Sequence, residues 1–234
     1  MTELLYLHDS YAREFEATVT AVDGHAVSLD RTAFYPGGGG QPSDIGALEW
    51  SGGRARVTGQ RRDGDTIWHV LEDAGPAPES PVRGRIDWER RYAIMRHHSA
   101  LHVLVGAVYR LFGALVTGGA IYPDRARMDF ALEDLSKARI AAIETEANRV
   151  ISEDRPIRVR FVAREEFERS DLTRLANVSL PPEIQTVRVI EIEAFDAQAD
   201  GGTHVARTGE IGRLAVTKTE NKGKTNRRLE IALS

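Results

Sequence analysis

The first ninety residues alternate apolar and polar positions in the two-residue period that is typical of β-strands. The alternation runs from Phe15 to Leu29 around the turn signal Asp23-Gly24, which predicts a β-hairpin. A second pair of short strands is predicted on either side of Arg62-Asp63-Gly64-Asp65. The segment from Asp73 to Pro81 is rich in Pro, Ala and Gly and is predicted to be a loop. This part of the chain therefore predicts a small β-domain.

The period changes at Trp88, where apolar residues begin to recur at steps of three and four. That spacing predicts an amphipathic helix, with Asp87 as N-cap and Gly113 as the point where it ends. A second helix is predicted from Leu135 to Ser152, where apolar residues again recur at helical spacing. Pro156 lies just beyond this segment, where a helix should already have ended. The stripe of the first helix comprises Ile94, His98, Leu101, His102, Val105, Val108, Tyr109 and Phe112.

The rest of the chain returns to strand patterns. Strands are predicted from Ile157 to Val162 and from Val187 to Ala194. A final hairpin is predicted to join Ile211–Thr219 to Arg227–Leu233, turning at Lys222-Gly223. The predicted fold class is α+β: a small β-barrel-like domain over residues 1–86, followed by a helix-and-antiparallel-sheet domain over residues 87–234.

Composition excludes several classes of protein. With 41% hydrophobic and 28% charged residues, the chain of 234 residues has the profile of a soluble globular protein. No apolar run approaches the roughly 20 residues of a membrane span, and the first ten residues do not resemble a signal peptide, so we expect a cytoplasmic protein. The chain contains no cysteine, which excludes disulfides and thiolate metal ligands.

The strongest chemical signal is the HxxxH segment from His98 to His102. Residues four apart on a helix leave the same face, so both imidazoles can reach one metal ion. The same stripe is apolar, and a buried imidazole needs a partner. His97 points elsewhere and is interpreted as a surface residue or one that lies behind the ligands. His8, His25 and His69 have no partner at ligand spacing and are interpreted as structural.

A second signal lies between Asp200 and His204, which are separated by a Gly-Gly pair. Alone, it is typical of a glycine turn capped by the aspartate. Together with the HxxxH segment, it completes three imidazoles and one carboxylate, a set suited to zinc.

The four glycines before Gln41 form the third signal. Such a run lets the backbone approach a phosphate, a ribose or another domain closely, although a simple hinge fits equally well. It does not match a P-loop, which requires Lys-Ser/Thr after its glycines.

The net charge of −4 leaves room for a local cationic patch that could bind RNA. One cluster lies near the C-terminus, and a second runs from Arg83 to Arg96. The ordinary interpretation of either is solvated surface charge. The C-terminal candidates for contacts to an RNA backbone are Arg213, Lys222, Lys224, Arg227 and Arg228.

Three motifs, in this order, resemble those of a known family. They are the segment from Phe34 to Gly46 with the glycine run, the histidine block from His97 to His102, and the segment from Gly201 to Gly212. The same order occurs in AlaX, the free-standing alanyl-tRNA editing proteins, which are similar to the editing domain of alanyl-tRNA synthetase. The resemblance extends from about Phe15 to Leu229, and the glycine-rich N-terminal part makes the chain similar to the medium-length type.

The resemblance implies hydrolysis of Ser-tRNA(Ala), and often of Gly-tRNA(Ala), at a zinc ion held by HxxxH and CxxxH motifs. His98, His102 and His204 match ligand positions, whereas Asp200 stands where the family usually has cysteine. Two roles remain open for Asp200. Its carboxylate could be a fourth ligand, direct or through water, in a site that also admits other divalent metals. Alternatively, it could orient a water molecule, or act as its base, beside three histidines.

The resemblance also suggests roles for two polar residues. Ser99 stands where the family usually has threonine, and its hydroxyl could recognise that of a serine substrate. An ordinary helix serine bonded to its own backbone is the simpler interpretation. Gln41 matches the glutamine of the glycine motif and would bring that loop to the catalytic pocket. The expected partner is mischarged tRNA(Ala). The two rival functions are a tRNA-binding module without catalysis and a metal-dependent esterase unrelated to RNA.

Overall fold

A computed structural model describes residues 2–176 and 183–234, and the chain forms two compact units, Met1–Tyr92 and Ala93–Ser234. The first unit consists of strands and one 3₁₀ turn before the start of a helix, and the second combines helices with antiparallel sheets. The predicted α+β class is therefore confirmed. None of the helices in the described part of the chain is both long and apolar enough to span a membrane.

The first unit is a closed six-stranded antiparallel barrel, in the order β2-β3-β7-β6-β5-β8. A short parallel pair, β1 with β4, and a 3₁₀ turn at Leu5–Leu7 accompany it. The strands are β1 (Glu3–Leu4), β2 (Glu14–Asp23), β3 (Ala26–Leu29), β4 (Arg31–Thr32), β5 (Gly46–Trp50), β6 (Gly53–Asp63), β7 (Thr66–Leu71) and β8 (Pro81–Ile86).

Both hairpins predicted for this region are present. The β2–β3 hairpin turns at Gly24, whose φ of +58° favours glycine, and the β6–β7 hairpin turns at Gly64. Alternate positions of β2 point inward, so that Phe15, Ala17 and Val19 join the apolar core of the barrel.

The glycine run forms a tight turn inside the first unit. Gly38 and Gln41 exchange both backbone hydrogen bonds, at 3.0 and 2.9 Å. All four glycines have φ between +58° and +134°, a region that other residues rarely adopt. The turn thus explains the run without an open hinge. Gln41, at its end, is 3% exposed.

A buried ion pair fixes the segment that carries this turn. Arg91 is fully buried and donates to the Asp44 carboxylate and to the carbonyl oxygens of Ala33 and Ser10. Asp44 also accepts from the backbone N–H of Tyr35 at 2.6 Å. Every charge in this group has a partner, as the burial of charges requires.

The helices begin and end close to their predicted limits. Helix α1 spans Trp88–Phe112, and Asp87 accepts a hydrogen bond from the N–H of Arg90 at 3.2 Å, as expected of an N-cap. Helix α2 spans Lys137–Ser152, two residues shorter than predicted, because Ser136 caps it. A short helix, α3 (Arg164–Arg169), was not predicted.

Two antiparallel sheets complete the second unit, in the orders β14-β15-β10-β9 and β11-β12-β13. A 3₁₀ turn lies at Thr208–Ile211. The strands are β9 (Val116–Ile121), β10 (Ala126–Phe130), β11 (Ile157–Ala163), β12 (Thr186–Ile192), β13 (Asp196–Ala199), β14 (Leu214–Gly223) and β15 (Asn226–Leu233).

The last hairpin differs from its prediction at two points. Strand β14 begins at Leu214, because residues up to Ile211 form the 3₁₀ turn. The chain reverses at Lys224 and Thr225, two residues after the predicted turn, and Gly223 still belongs to β14. The prediction placed the glycine at the turn itself, whereas its φ of +144° lies at a register irregularity in the ladder.

Candidate metal centre

The cluster of interest lies within the second unit, where α1 meets the loop that follows β13. Helix α1 supplies His98 and His102, one turn apart, and the loop supplies Asp200 and His204. One nitrogen or oxygen atom from each of the four side chains lies within 4.8 Å of the other three. The three imidazoles are buried and the carboxylate is 18% exposed. The structure thus brings together the four residues predicted as ligands.

The three imidazole rings face one another closely. The ring centroids of His98 and His204 are 4.2 Å apart, those of His102 and His204 4.5 Å, and those of His98 and His102 5.1 Å. Asp200 closes the set, with Oδ1 at 2.9 Å from Nε2 of His204 and Oδ2 at 3.6 Å from Nε2 of His98. Donors about 2 Å from a shared ion are at most about 4 Å apart, so the cluster has nearly the spacing that one ion requires.

Neighbouring groups hold two of the three rings. Ser99 Oγ lies 3.2 Å from Nδ1 of His204 and accepts from the N–H of Val205 at 3.1 Å. His98 bonds to the backbone of Thr203. By contrast, Nδ1 of His102 is buried and has no hydrogen-bond partner in residues 2–176 and 183–234. A buried nitrogen left unpaired costs about 1–3 kcal/mol, and a metal bound by this ring would offset that cost.

Burial sets the protonation of the cluster. It lowers the pKa of His98 to about 3 and lowers the pKa of His102 and of His204 below their usual value. For Asp200, burial acts to raise the pKa, but neighbouring His98 and hydrogen-bonded His204 hold it well below its usual range. Neutral imidazoles and an ionised carboxylate are the forms in which these side chains bind metals.

The loop of Asp200 and His204 is fixed by Arg188, a residue that the sequence analysis missed. Nη1 of Arg188 donates to the carbonyl oxygens of Asp200 and Gly202, both at 2.9 Å. The N–H of Gly202 donates to Asp200 Oδ1 at 2.7 Å, which closes the turn. A signal existed, because an arginine is unusual in the buried and otherwise apolar stretch from Val187 to Ile190.

Similarity to known proteins covers the whole chain. An alanyl-tRNA editing protein AlaX-M of Saccharolobus solfataricus is 43% identical over 98% of both chains, and that of Methanosarcina acetivorans is 43% identical over 100% of this chain and 99% of its own. The chain belongs to the AlaX-M family of alanyl-tRNA editing proteins. An alanine–tRNA ligase of Thermofilum pendens is 44% identical over 92% of this chain but only 24% of its own.

Two family models match parts of the chain and agree with its division. Residues 187–230 match the threonyl and alanyl tRNA synthetase second additional domain, which includes Asp200 and His204. Residues 3–90 match the class II (A) tRNA synthetases. In this member of AlaX-M, two of the four clustered donors, His98 and His102 of α1, lie outside both matched ranges, and the other two lie in the range that matches the second additional domain.

Other residues predicted for the AlaX-M site have different surroundings. Ser99 is fully buried and engaged with His204 and Val205, and its contact with a substrate hydroxyl stays a prediction. Gln41 is buried within the first unit, and its catalytic role also stays a prediction. His97 was expected at the surface or behind the ligands; it is 5% exposed and bonds to Ala93 O at 2.9 Å, so the surface interpretation was wrong.

The predicted cationic cluster divides into two kinds of side chain. Arg228 forms a two-point ion pair with Asp129 at 2.6 and 2.7 Å, and Arg227 donates to backbone carbonyls, Asn226 O among them. Lys222 and Lys224 are exposed at the tip of the β14–β15 hairpin. Arg213, also exposed, lines a groove beside α2. RNA contacts by these residues stay a prediction, and the two lysines are the most accessible of them.

Proposed function

We propose that this chain removes serine from mischarged Ser-tRNA(Ala), with Gly-tRNA(Ala) as its second substrate, at a divalent metal held by His98, His102, His204 and Asp200. The observation that carries the proposal is the convergence of four metal-binding side chains within 4.8 Å, in a member of the AlaX-M family. Zinc is the first candidate metal, because three imidazoles and one carboxylate are among its usual ligand sets.

The reaction is the hydrolysis of an ester. A water molecule adds to the carbonyl carbon that joins the amino acid to the ribose, the bond from that carbon to the ribose oxygen breaks, and the ribose oxygen takes up a proton. A divalent metal, when bound, supplies a Lewis acid for the carbonyl or increases the acidity of water. The side chains of the protein orient the ester and the attacking water, transfer the protons and exclude bulk water.

Asp200 is the donor best placed to accept a hydrogen bond from water. Its pKa is held well below the usual range, so it is ionised at neutral pH, and its side chain is the most exposed of the four donors. A cavity of about 350 Å³ opens beside Asp200 and Arg188, which offers a route for substrate to the carboxylate. We propose that Asp200 is a ligand, direct or through water, and that Oδ2, which is farther from its neighbours, orients the attacking water.

Ser99 supports the site through His204. Because its hydroxyl lies 3.2 Å from Nδ1 of that ring, it sets the ring orientation and favours Nε2 as the atom that faces Asp200. We propose this as its first role, and recognition of the serine hydroxyl as a second one to be tested with Ser99→Ala.

The test is deacylation of Ser-tRNA(Ala), Gly-tRNA(Ala) and correctly charged Ala-tRNA(Ala) by the metal-loaded protein and by His102→Ala. We expect the intact protein to release serine and glycine but to spare alanine, and the variant to release none. If the intact protein binds tRNA with a steep salt dependence but hydrolyses no aminoacyl ester, the chain is a tRNA-binding module. If it hydrolyses small esters and does not bind tRNA, it is an unrelated esterase.

A further inference from the structure

Gln198 joins the two segments that carry the four metal donors. It lies in β13, two residues before Asp200, and is 8% exposed. Its Nε2 donates to the carbonyl oxygen of His102 in α1 at 3.1 Å and to Oδ2 of Asp196 at 2.7 Å. An amide nitrogen has two protons to donate, so both are used. The amide nitrogen is therefore a buried link from the ligand strand to the backbone of a ligand.

The strand end of this link is itself fixed. The side chain of Asp196 is 5% exposed, and its Oδ1 accepts from Nη2 of the buried Arg174 at 2.6 Å. The guanidinium carbon of Arg174 lies 4.1 Å from the centroid of the Tyr109 ring, which belongs to α1. Because a buried carboxylate with a charged partner has little freedom to move, Asp196 holds the amide of Gln198 in one orientation.

The turn before β13 packs tightly on α1. A Cβ at Gly106 would lie 2.6 Å from the ring of Phe195 and 3.0 Å from Cβ of Asp196, so this close approach needs a residue without a side chain. About two turns earlier in α1, Nε2 of His98 lies 3.6 Å from Oδ2 of Asp200. The chain from Phe195 to Asp200 thus runs alongside the helix, and the hydrogen bond from β13 to His102 lies between these two contacts.

His102 is the ligand that depends most on such a link. Its Nδ1 has no hydrogen-bond partner within residues 2–176 and 183–234, whereas the ring of His204 is bonded to Ser99. The position of the His102 ring is therefore set by the backbone that carries it. Metal ligands must be held within about 0.5 Å of their working positions, and the backbone of His102 is where Gln198 binds.

We propose that Gln198 is a positioning residue for the metal site. By binding the carbonyl oxygen of His102, it sets where that imidazole meets the donors of the Asp200 loop. The inference rests on the proposed function, since a shared ion requires these donors at a fixed spacing. Gln198 contacts neither metal nor substrate in this role and acts through His102. An amide that only joins a strand to a helix would affect stability and leave metal affinity unchanged.

The experiment compares Gln198→Met with the matched control Asn148→Leu. Methionine keeps the length of the glutamine side chain and removes both donated hydrogen bonds. Asn148 also joins a helix to a strand in the second unit, because its Nδ2 donates to Leu214 O at 2.8 Å and its Oδ1 accepts from Leu214 N at 2.9 Å. These bonds connect α2 to β14.

Three measurements are made on the wild type and both variants. Competition with a chelator gives the zinc affinity, and urea unfolding of the metal-free proteins gives the stability. Nuclear magnetic resonance of the metal-free proteins reports the environment of the His102 ring through its Cε1–H signal, which is assigned by its absence from His102→Gln.

The expected pattern separates positioning from stability. Gln198→Met should lower zinc affinity about 10- to 100-fold, the range for residues that support ligands, and should shift or split the His102 signal. Asn148→Leu should lower the urea midpoint and leave zinc affinity and the His102 signal as in the wild type. The proposal is overturned if Gln198→Met loses stability but keeps wild-type zinc affinity, or if both variants lose zinc affinity equally.

The signal of the metal-free protein separates failure of this inference from failure of the proposed function. If the wild type neither binds zinc nor deacylates Ser-tRNA(Ala), the proposed function fails, and the His102 signal alone decides the role of Gln198. A signal that moves in Gln198→Met and not in Asn148→Leu then supports the positioning role. A signal that is the same in all three proteins overturns it.

Discussion

His69 in the barrel and His102 in the second unit are both buried histidines with a lowered pKa, yet their surroundings differ. His69 has both ring nitrogens occupied, Nε2 at 2.8 Å from Thr32 Oγ1 and Nδ1 at 3.2 Å from Val27 O. His102 has a buried Nδ1 without a partner among the described residues and lies beside three other donors. Burial lowers the pKa in both cases.

The contrast shows which observations distinguish a metal ligand from a structural histidine. Burial and a shifted pKa are shared, so neither distinguishes a functional histidine from a structural one. A ring nitrogen without a hydrogen-bond partner among the described residues and a group of converging donors are found for His102 but not for His69. The first unit also pairs its buried charges internally, as Arg91 with Asp44 shows, whereas in the second unit Arg188 donates to the carbonyl oxygens of the ligand loop.

The same substitution at both histidines should give opposite results, and we expect this to be the largest effect. His102→Gln removes a ligand, so bound zinc and deacylation of Ser-tRNA(Ala) should fall to background. His69→Gln should keep one equivalent of zinc and full activity per folded molecule, at a loss of about 1–3 kcal/mol in the free energy of unfolding. Metal analysis and urea unfolding of both variants measure this. Loss of zinc from His69→Gln would remove the contrast.

Asp200 has no counterpart around His69, and its substitution tests whether the carboxylate is a ligand. Asp200→Cys restores the donor that the family resemblance predicts at this position, so zinc should bind more tightly and manganese more weakly than in the wild type. Asp200→Asn removes the negative charge and should weaken both. Competition with a chelator gives the affinities. Equal zinc affinity in all three proteins would show that Asp200 does not ligate the metal.

Arg188 should affect the metal indirectly. Because it fixes the carbonyl oxygens of Asp200 and Gly202, Arg188→Lys should lower metal affinity or activity about 10- to 100-fold, the range observed for residues that support ligands. We expect the donor set to remain the same, which the spectrum of a cobalt-substituted protein would report. A loss confined to unfolding stability, with metal affinity unchanged, would make Arg188 purely structural.

The pH dependence of stability should reveal His69. Its pKa is lowered from 6.5 to about 4, so between these pH values the unfolded chain binds a proton that the folded barrel does not. The free energy of unfolding therefore falls as pH decreases through this window, by about 3 kcal/mol in full. His69→Gln, which cannot titrate, should lose that part of the slope when urea unfolding is compared at pH 7.5 and 5. An unchanged slope would contradict the assignment.

The smallest effect is expected at the β14–β15 hairpin. Lys222 and Lys224 are exposed, so reversing both charges should weaken tRNA binding several-fold and reduce the salt dependence by up to about one unit of slope per lost phosphate contact. The matched control is Lys218→Glu on the same strand, whose ammonium pairs with Glu220 at 2.5 Å. Filter binding over a salt series measures both. Equal effects of the two changes would indicate only a general loss of positive charge.

Much of the fold follows from local pattern. Helix α1 was predicted from the spacing of its apolar residues and its cap, and that spacing also places His98 and His102 on one face. The β9–β10 pair was not predicted, because Gly118 and Gly119 interrupt the β9 pattern. The glycine run was predicted to allow a close backbone approach or to form a hinge, whereas its tight turn depends on hydrogen bonds that spacing cannot show.

The candidate site was only partly predictable from the residues themselves. His98 and His204 are more than one hundred positions apart, so their meeting depends on how β13 packs beside α1, which local pattern does not encode. The resemblance to AlaX supplied that connection. The contacts of Ser99 and Arg188 were missed for the same reason. The contact of Ser99 with His204 joins segments that are distant in sequence, and the contact of Arg188 with Gly202 joins a strand to the ligand loop, so neither follows from local pattern.

The central claim is that His98, His102, His204 and Asp200 together bind one metal ion. The most direct test is X-ray absorption on the zinc-loaded protein, together with its metal stoichiometry and that of His98→Ala/His102→Ala. We predict one equivalent of zinc, with three imidazole nitrogens and at least one oxygen as ligands, and none in the double variant. Zinc bound equally by both proteins, or a spectrum with fewer than two imidazoles, would contradict the account.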